Sequence, residues 1–332
     1  MINTQALKNI NTPAYLCAET QLEKNAKVFK SIQEKTHCKI ILALKAFSMH
    51  STFPILRPYL AGVTASSENE ARLGNEEFQK EVHTYSPAYK DSEIKSLANL
   101  SDHITFNSQT QLKRFQAAFA KERDPSKKPL SFGLRLNPEH SEVKIALYDP
   151  CQQYSRFGVT KVELDESIID HIDGLHFHSL CGHYVDAFER TFNQIEAKFG
   201  HLFNKLKWLN FGAGHGITKA GYDVDRLCKL IISIQNKYNL QVILEPGEAI
   251  ALNAGVLVSS VVDIMKNEIN IAILDTSATA HMPDILEMPY RADIVTAGRI
   301  DEKPHNYRLG GSTCLSGDII GDYSFDKQLK IG

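Results

Sequence analysis

The chain holds a single tryptophan and only six cysteines in 332 residues. Cys17, Cys38, Cys151, Cys181, Cys228 and Cys314 form no Cys-x-x-Cys pair and match no zinc-ligand spacing. This excludes a structural zinc knuckle and a dithiol redox motif, and free thiols point to a reducing cytoplasm. Neither sign of charge dominates, with 37 Lys and Arg against 39 Asp and Glu and a net charge of −2. An overall basic field for nucleic acid or an anionic membrane is therefore missing. No apolar run approaches the roughly 20 residues that span a bilayer. The first residues, Met1-Ile2-Asn3-Thr4-Gln5, lack the charged and apolar regions of a signal peptide. Internal repeats and low-complexity linkers are absent too. We expect a soluble cytoplasmic protein whose partner is a small molecule, not nucleic acid or membrane.

Apolar residues make up 43% of the chain, enough for a large core. Short β-branched runs alternate with longer amphipathic stretches. Strands are expected at Lys39–Leu44, Gly62–Ala65, Val82–Tyr85, His103–Phe106, Ser131–Leu136, Gly174–His178, Trp208–Phe211 and Val242–Leu244. Helices are expected at Gln21–Gln33 behind a Thr20 cap, Glu68–Phe78 behind Ser66-Ser67, Ser108–Ala120, Glu163–His171, Ala187–Phe203 and Asp225–Tyr238. His50–Leu60, broken by two prolines, and Asp91–Ala98 are weaker helix candidates. Strand and helix in alternation imply parallel strands with right-handed crossovers. Eight such units favour an α/β fold, a (β/α)8 TIM-like barrel, over an open doubly wound sheet.

After Pro246 the pattern becomes β-rich, with candidate strands at Val256–Ile264, Ile269–Leu274, Arg291–Ala297 and Tyr307–Leu309. Phe325–Gly332 reads as the start of another strand. We expect the barrel to occupy residues 15–250 and a C-terminal β-sheet domain to combine residues 1–14 with 251–332.

Barrel chemistry sits at the C-terminal ends of the strands. Lys45 follows the apolar run Ile40–Leu44. The plain reading is a lysine where a strand meets solvent; a partly desolvated lysine would instead be a nucleophilic amine suited to a Schiff base. Gly212-Ala213-Gly214-His215-Gly216 is either a tight turn or a loop whose amides approach an oxyanion. Barrel phosphate sites are commonly built there. Glu245, in Glu245-Pro246-Gly247-Glu248, is either an ordinary ion-pair partner or the carboxylate facing a pyridine nitrogen. His176 and His178, two apart on one strand face, fit a metal pair, a ring stacked on a cofactor, or one core histidine. Cys314 lies in the glycine-rich loop Gly310–Asp318, where a buried small side chain is the usual reading.

The ordered fragments Ala43-Leu44-Lys45-Ala46, Ser86–Lys90, Arg135–Glu142, Ser155-Arg156-Phe157-Gly158, Leu209–His215, Leu244–Glu248, His281-Met282-Pro283-Asp284 and the Cys314 loop run along nearly the whole chain. Together they resemble the fold-type III, alanine-racemase-like pyridoxal phosphate decarboxylases, a family that includes ornithine, arginine and diaminopimelate enzymes. The resemblance is strongest to the branch that converts carboxynorspermidine and carboxyspermidine to norspermidine and spermidine.

The resemblance implies that Lys45 carries pyridoxal 5'-phosphate, His178 stacks on its ring, Glu245 faces the pyridine nitrogen, and Gly212, Gly214 and Gly247 surround the phosphate. It implies a homodimer with shared active sites, in which Cys314 of the other protomer protonates the carbanion, with Asp318 in the same loop. Many relatives carry arginine after Glu-Pro-Gly; here Glu248 stands there and becomes a candidate for gripping a substrate amine, with Asp284 and Asp275. Leu315 stands where many ornithine and diaminopimelate enzymes have an acid, which argues against those substrates. Relatives continue past Gly332 with a tyrosine-bearing strand, so truncation of the sheet domain is expected. A diaminopimelate, ornithine or arginine decarboxylase, a metal-dependent hydrolase using His176 and His178, and a non-catalytic cofactor carrier are the rival readings.

Overall fold

The computed structural model describes residues 10–332. These divide into two compact units, Glu19–Ala254 and a second that joins the chain up to Ala18 with Gly255–Gly332.

The larger unit is a closed barrel. The first strand of the chain, β1 (Ala14–Cys17), lies outside it; the barrel runs through β2 (Lys39–Ala43), β3 (Gly62–Ala65), β4 (Glu81–Tyr85), β5 (His103–Phe106), β6 (Ser131–Arg135), β7 (Gly174–His176), β8 (Trp208–Asn210) and β9 (Gln241–Leu244). All neighbours are parallel, and β9 closes onto β2 through Lys39 opposite Ile243 and Ile40 opposite Leu244. Every expected barrel strand is present, although several stop a residue or two earlier than the apolar run does. The run continues because the residues beyond the ladder, such as Leu44, Leu136 and Phe177, remain buried.

Helices cover the outside, placed by their apolar stripes. The helix Val224–Tyr238 starts at Asp223, whose carboxylate accepts the Arg226 amide at 2.9 Å, and buries Leu227, Ile231 and Ile234. Ser67 caps the helix Glu68–Leu73 in the same way, accepting the Glu70 amide at 3.2 Å. Thr20 is not a cap, because that helix (Glu19–Thr36) has already begun at Glu19. Two expected helices are partly or wholly 3-10: Glu166–His171, and Gly200–Lys205 continuing the α-helix Val185–Phe199.

In the smaller unit β1 pairs antiparallel with β10 (Gly255–Val258), Tyr15 lying opposite Leu257. The expected boundary at residue 15 therefore moves to Ala18. Residues 1–9 of the segment 1–14 lie outside the described residues. A four-stranded sheet runs β11 (Val261–Asn267), β12 (Ile269–Leu274), β13 (His305–Gly310), β14 (Ile319–Phe325), with β12 and β13 parallel. Ala272, Leu274, Ile285, Leu309, Ile320 and Tyr323 form its core.

Three expectations fail here. Val256–Ile264 is two strands, split where the Ser259 hydroxyl and the Ser260 amide both bond to Asp275 Oδ1 at 2.7 and 2.9 Å. Arg291–Ala297 is not a strand, since its groups bond elsewhere: the Arg291 guanidinium to the Gly298 carbonyl, and the Ala292 carbonyl to the Tyr323 hydroxyl, each at 2.7 Å. Phe325–Gly332 ends a strand instead of starting one.

Candidate active site

At the C-terminal end of the barrel a cavity of about 330 Å3 is lined by Lys45, Ser66, Tyr85, Arg135, Arg156, Phe157 and His178, with Leu147–Pro150 along one side. A larger surface depression of about 490 Å3, between Lys30, Gln33, Tyr59 and Lys80, carries none of the site chemistry.

Lys45 sits in the turn directly after β2. The residue is exposed at the cavity, yet the protein packed near it partly desolvates the ammonium and lowers its pKa below the ordinary lysine value of 10.5. Glu245 partly opposes that shift, and Arg135 adds to it. A lysine so placed has a larger share of neutral, nucleophilic amine at neutral pH than an exposed one.

Glu245 follows β9 and is 7% exposed. Burial opposes its charge, but the His176 ring, the Asn210 amide and Lys45 outweigh burial and hold the carboxyl below the usual carboxylate range. Asn210 donates to Oε1 at 2.8 Å, and His176 Nε2 lies 3.4 Å from Oε2. An ionised carboxylate kept this deep in a protein is a natural partner for a protonated ring nitrogen.

The two histidines part company. β7 ends at His176, which turns to Glu245. His178 Nδ1 accepts the Ala213 amide at 2.9 Å, and burial holds its pKa well below the ordinary value. The ring is therefore neutral, with its proton on Nε2. β7 stops at His176, so His178 lies beyond the strand, and the two rings are held by different partners. Among the described residues the one cluster of three candidate ligands is Glu81, His83 and His103, in β4 and β5.

The glycine loop is a cradle that side chains would fill. Gly212 and Gly214 have φ of +65° and +88°, where non-glycine residues are strained. A Cβ on Gly214 would lie 1.9 Å from the Leu180 carbonyl oxygen, and one on Gly247 would lie 2.4 Å from the Ala46 methyl.

Arg135, at the end of β6, was missed by sequence reasoning. It is 5% exposed and lies over the rings of Tyr85 and Phe157, its Cζ 4.8 and 4.6 Å from their centroids. A charged residue closing an apolar strand was the available signal. Asn210, which orients Glu245, was also missed and gave none.

Of the remaining expected residues, Glu248 belongs to the barrel unit and the others to the sheet unit. Glu248 faces Lys219, its Oε1 3.6 Å from the ammonium, so it is paired with a residue of the chain. Asp275 accepts Thr12 at 2.5 Å together with Ser259 and Ser260, and Asp318 accepts the Ala278 amide at 2.7 Å and the Thr313 hydroxyl at 2.6 Å. Those bonds give both aspartates partners within the sheet unit. Cys314 is exposed in its loop, and Asp284 opens the short helix Asp284–Glu287.

The family described as pyridoxal-dependent decarboxylase, C-terminal sheet domain, matches residues 63–332. The chain is 44% identical to the carboxynorspermidine/carboxyspermidine decarboxylase of Campylobacter jejuni, covering 98% of this chain and 86% of that protein. It is 40% identical to the carboxyaminopropylagmatine decarboxylase of Synechocystis, covering 100% and 85%. A crystal structure of carboxynorspermidine decarboxylase from Campylobacter jejuni, complexed with norspermidine, superposes with a TM-score of 0.87 at 43% identity, covering 97% and 86%. The Helicobacter pylori diaminopimelate decarboxylase structure, at 18% identity and a TM-score of 0.78, shares the fold.

Proposed function

The chain belongs to the pyridoxal-dependent decarboxylase family, and from that premise we propose that it decarboxylates carboxynorspermidine or carboxyspermidine to norspermidine or spermidine in polyamine biosynthesis. The observation that carries the chemistry is one cavity wall holding a desolvated lysine, a neutral histidine and, behind them, a buried ionised glutamate.

Pyridoxal phosphate, when bound, supplies an electron sink for the pair freed by loss of CO2. The residues present fit it. Lys45 offers the amine that would hold the cofactor covalently. Glu245, ionised and buried, would accept a hydrogen bond from a protonated pyridine nitrogen. The neutral ring of His178, fixed by the Ala213 amide, gives a flat stacking surface that adds no charge. Gly212, Gly214 and Gly247 let these loops pack closely, and the amides of Gly214 and Gly247 would be offered to a phosphate.

In this proposal the enzyme is a cytoplasmic homodimer, and Cys314 from the second copy returns a proton to the carbon that lost CO2. Among the described residues no helix is long and apolar enough to cross a membrane.

The test is a visible spectrum of the purified protein before and after borohydride, with the modified peptide mapped, followed by CO2 release from carboxynorspermidine and carboxyspermidine. We expect a yellow protein modified at Lys45 and active on both. The assay includes carboxyaminopropylagmatine, the substrate in the name of the Synechocystis relative. A colourless protein, or turnover of diaminopimelate alone, refutes the reading.

A further inference from the structure

Three loops meet around one ammonium. Lys219 Nζ donates to the Gly182 carbonyl at 3.0 Å, after β7, and lies 3.6 Å from Glu248 Oε1, after β9. Its stem crosses Gly216, after β8, where a Cβ would stand 2.9 Å from Lys219 Cδ. A Cβ on Gly182 would stand 2.8 Å from Nζ. Two missing side chains therefore make the space in which this lysine lies.

Lys219 is also the only Lys or Arg in residues 211–223 and 245–254, the stretches that follow β8 and β9. Arg135 ends β6 and Arg156 lies in the segment between β6 and β7, so neither belongs to these stretches. Among the described residues, the amides of Gly214, His215, Gly247 and Glu248 make no intramolecular hydrogen bond, whereas those of Gly212, Ala213 and Gly216 bond Asn210, His178 and His183. Unpartnered amides beside a cation form an anion site. An ammonium has three donors, and this one makes a hydrogen bond to Gly182 and a longer ion pair with Glu248.

We propose that Lys219 supplies the positive charge that recognises the phosphate of the cofactor, and that Glu248 positions it. The inference rests on the pyridoxal phosphate reading above and adds which residue reads the phosphate. Glu248 then acts on the lysine arm, which explains an acid beside an anion site: the carboxylate draws the ammonium across the glycines instead of out into solvent.

The test separates phosphate recognition from cofactor binding in general. Cofactor is removed from the holoenzyme with hydroxylamine, and Kd is measured by absorbance for pyridoxal phosphate and for pyridoxal, which lacks the phosphate. K219M is expected to raise Kd for pyridoxal phosphate about tenfold or more while leaving Kd for pyridoxal within about threefold of wild type. K219R should restore most of the loss. E248Q, which takes the anchor from the ammonium but leaves its charge, should move the ratio of the two constants in the same direction as K219M but by less, about threefold. Unchanged phosphate selectivity in K219M overturns the proposal, and so does a loss in E248Q as large as in K219M. Retained pyridoxal binding shows that K219M is folded; if K219M binds neither ligand, the selectivity of K219R and E248Q decides by the same thresholds. A wild-type protein that binds neither ligand would overturn the pyridoxal phosphate reading itself, a different result from unchanged selectivity.

Discussion

Replacing Glu245 with glutamine keeps the shape and removes the charge. The Asn210 amide, 2.8 Å from Oε1, keeps an acceptor in the glutamine carbonyl. The other position, 3.4 Å from His176 Nε2, becomes an NH2 donor. A hydrogen bond to a charged group contributes about 1.5–3 kcal/mol and a neutral one about 0.5–1.5 kcal/mol. A donor facing a protonated nitrogen contributes nothing favourable, so the ring nitrogen loses about 1.5–3 kcal/mol of support for its proton. At 1.36 kcal/mol per decade, kcat should fall about 10- to 150-fold. Stability should fall only modestly, because burial cancels much of what His176, Asn210 and Lys45 contribute to the ionised carboxylate. We expect the apoprotein melting temperature to stay within about 4 °C of wild type, the shift that 1 kcal/mol gives in a domain this size. CO2 release gives kcat, and calorimetry of the apoprotein gives the melting temperature. An E245Q enzyme with kcat within threefold of wild type refutes the assigned role, as does a kcat loss matched by unfolding of the apoprotein.

Lys45→Ala should abolish covalent cofactor attachment and turnover; full turnover would sink the scheme. The lowered pKa of Lys45 means its amine is freed of its proton below 10.5, so the pH dependence of cofactor uptake by apoprotein should level off below that value; a midpoint at 10.5 contradicts the desolvation argument. Gly214→Ala places a Cβ against the Leu180 carbonyl at positive φ and should cost about 3 kcal/mol or more, with loss of cofactor, read by calorimetry and absorbance. For the shared-site proposal, mixing inactive Lys45→Ala and Cys314→Ala proteins should restore about a quarter of wild-type activity, since half the random dimers hold one intact site; no recovery on exchange of subunits argues against it.

The barrel was legible because each strand is buried on both faces and so reads as an uninterrupted apolar run. Lys45, Glu245 and the glycine loop were legible because each breaks such a run at the same end. Asn210 and Lys219 were not, since their importance depends on loops distant in the chain: Asn210 on Glu245, Lys219 on Gly182 and Glu248. The local partners of Asp275 and Asp318 were not legible either. An aspartate beside serine and threonine hydroxyls can be satisfied locally, and the sequence does not display which hydroxyls turn towards it. β14 was hidden by Gly321 and Asp322, residues that usually weaken a strand; here the Arg308 guanidinium grips Asp322 at 2.8 and 2.9 Å across the ladder.

The cluster Glu81, His83 and His103 shows why proximity of ligand types is not a metal site. The rings of His83 and His103 stack in parallel, centroids 3.8 Å apart and planes 8° apart. A metal ion must lie in the plane of each imidazole it binds, about 2 Å from nitrogen. Two parallel planes at that separation cannot share one ion without the rings turning. Glu81 is also occupied, both its oxygens bonded to Lys39 Nζ at 2.6 and 2.7 Å. Burial drives His103 down to about 2, so its ring stays neutral and stacks without repulsion. Burial opposes charge on Glu81, yet His83 and Lys39 outweigh it and pull its pKa from 4.5 to about 2. A depressed carboxylate stabilises the fold above about 4.5 and loses that contribution as pH falls towards 2. Because Glu81 is 37% exposed, solvent screening reduces the effect to about 1 kcal/mol. Glu81→Gln should therefore lower stability at pH 6 by about that amount and flatten the loss between pH 4.5 and 2, measured by denaturant unfolding. Zinc that raises the melting temperature of wild type but not of Glu81→Gln would overturn the structural reading of this cluster.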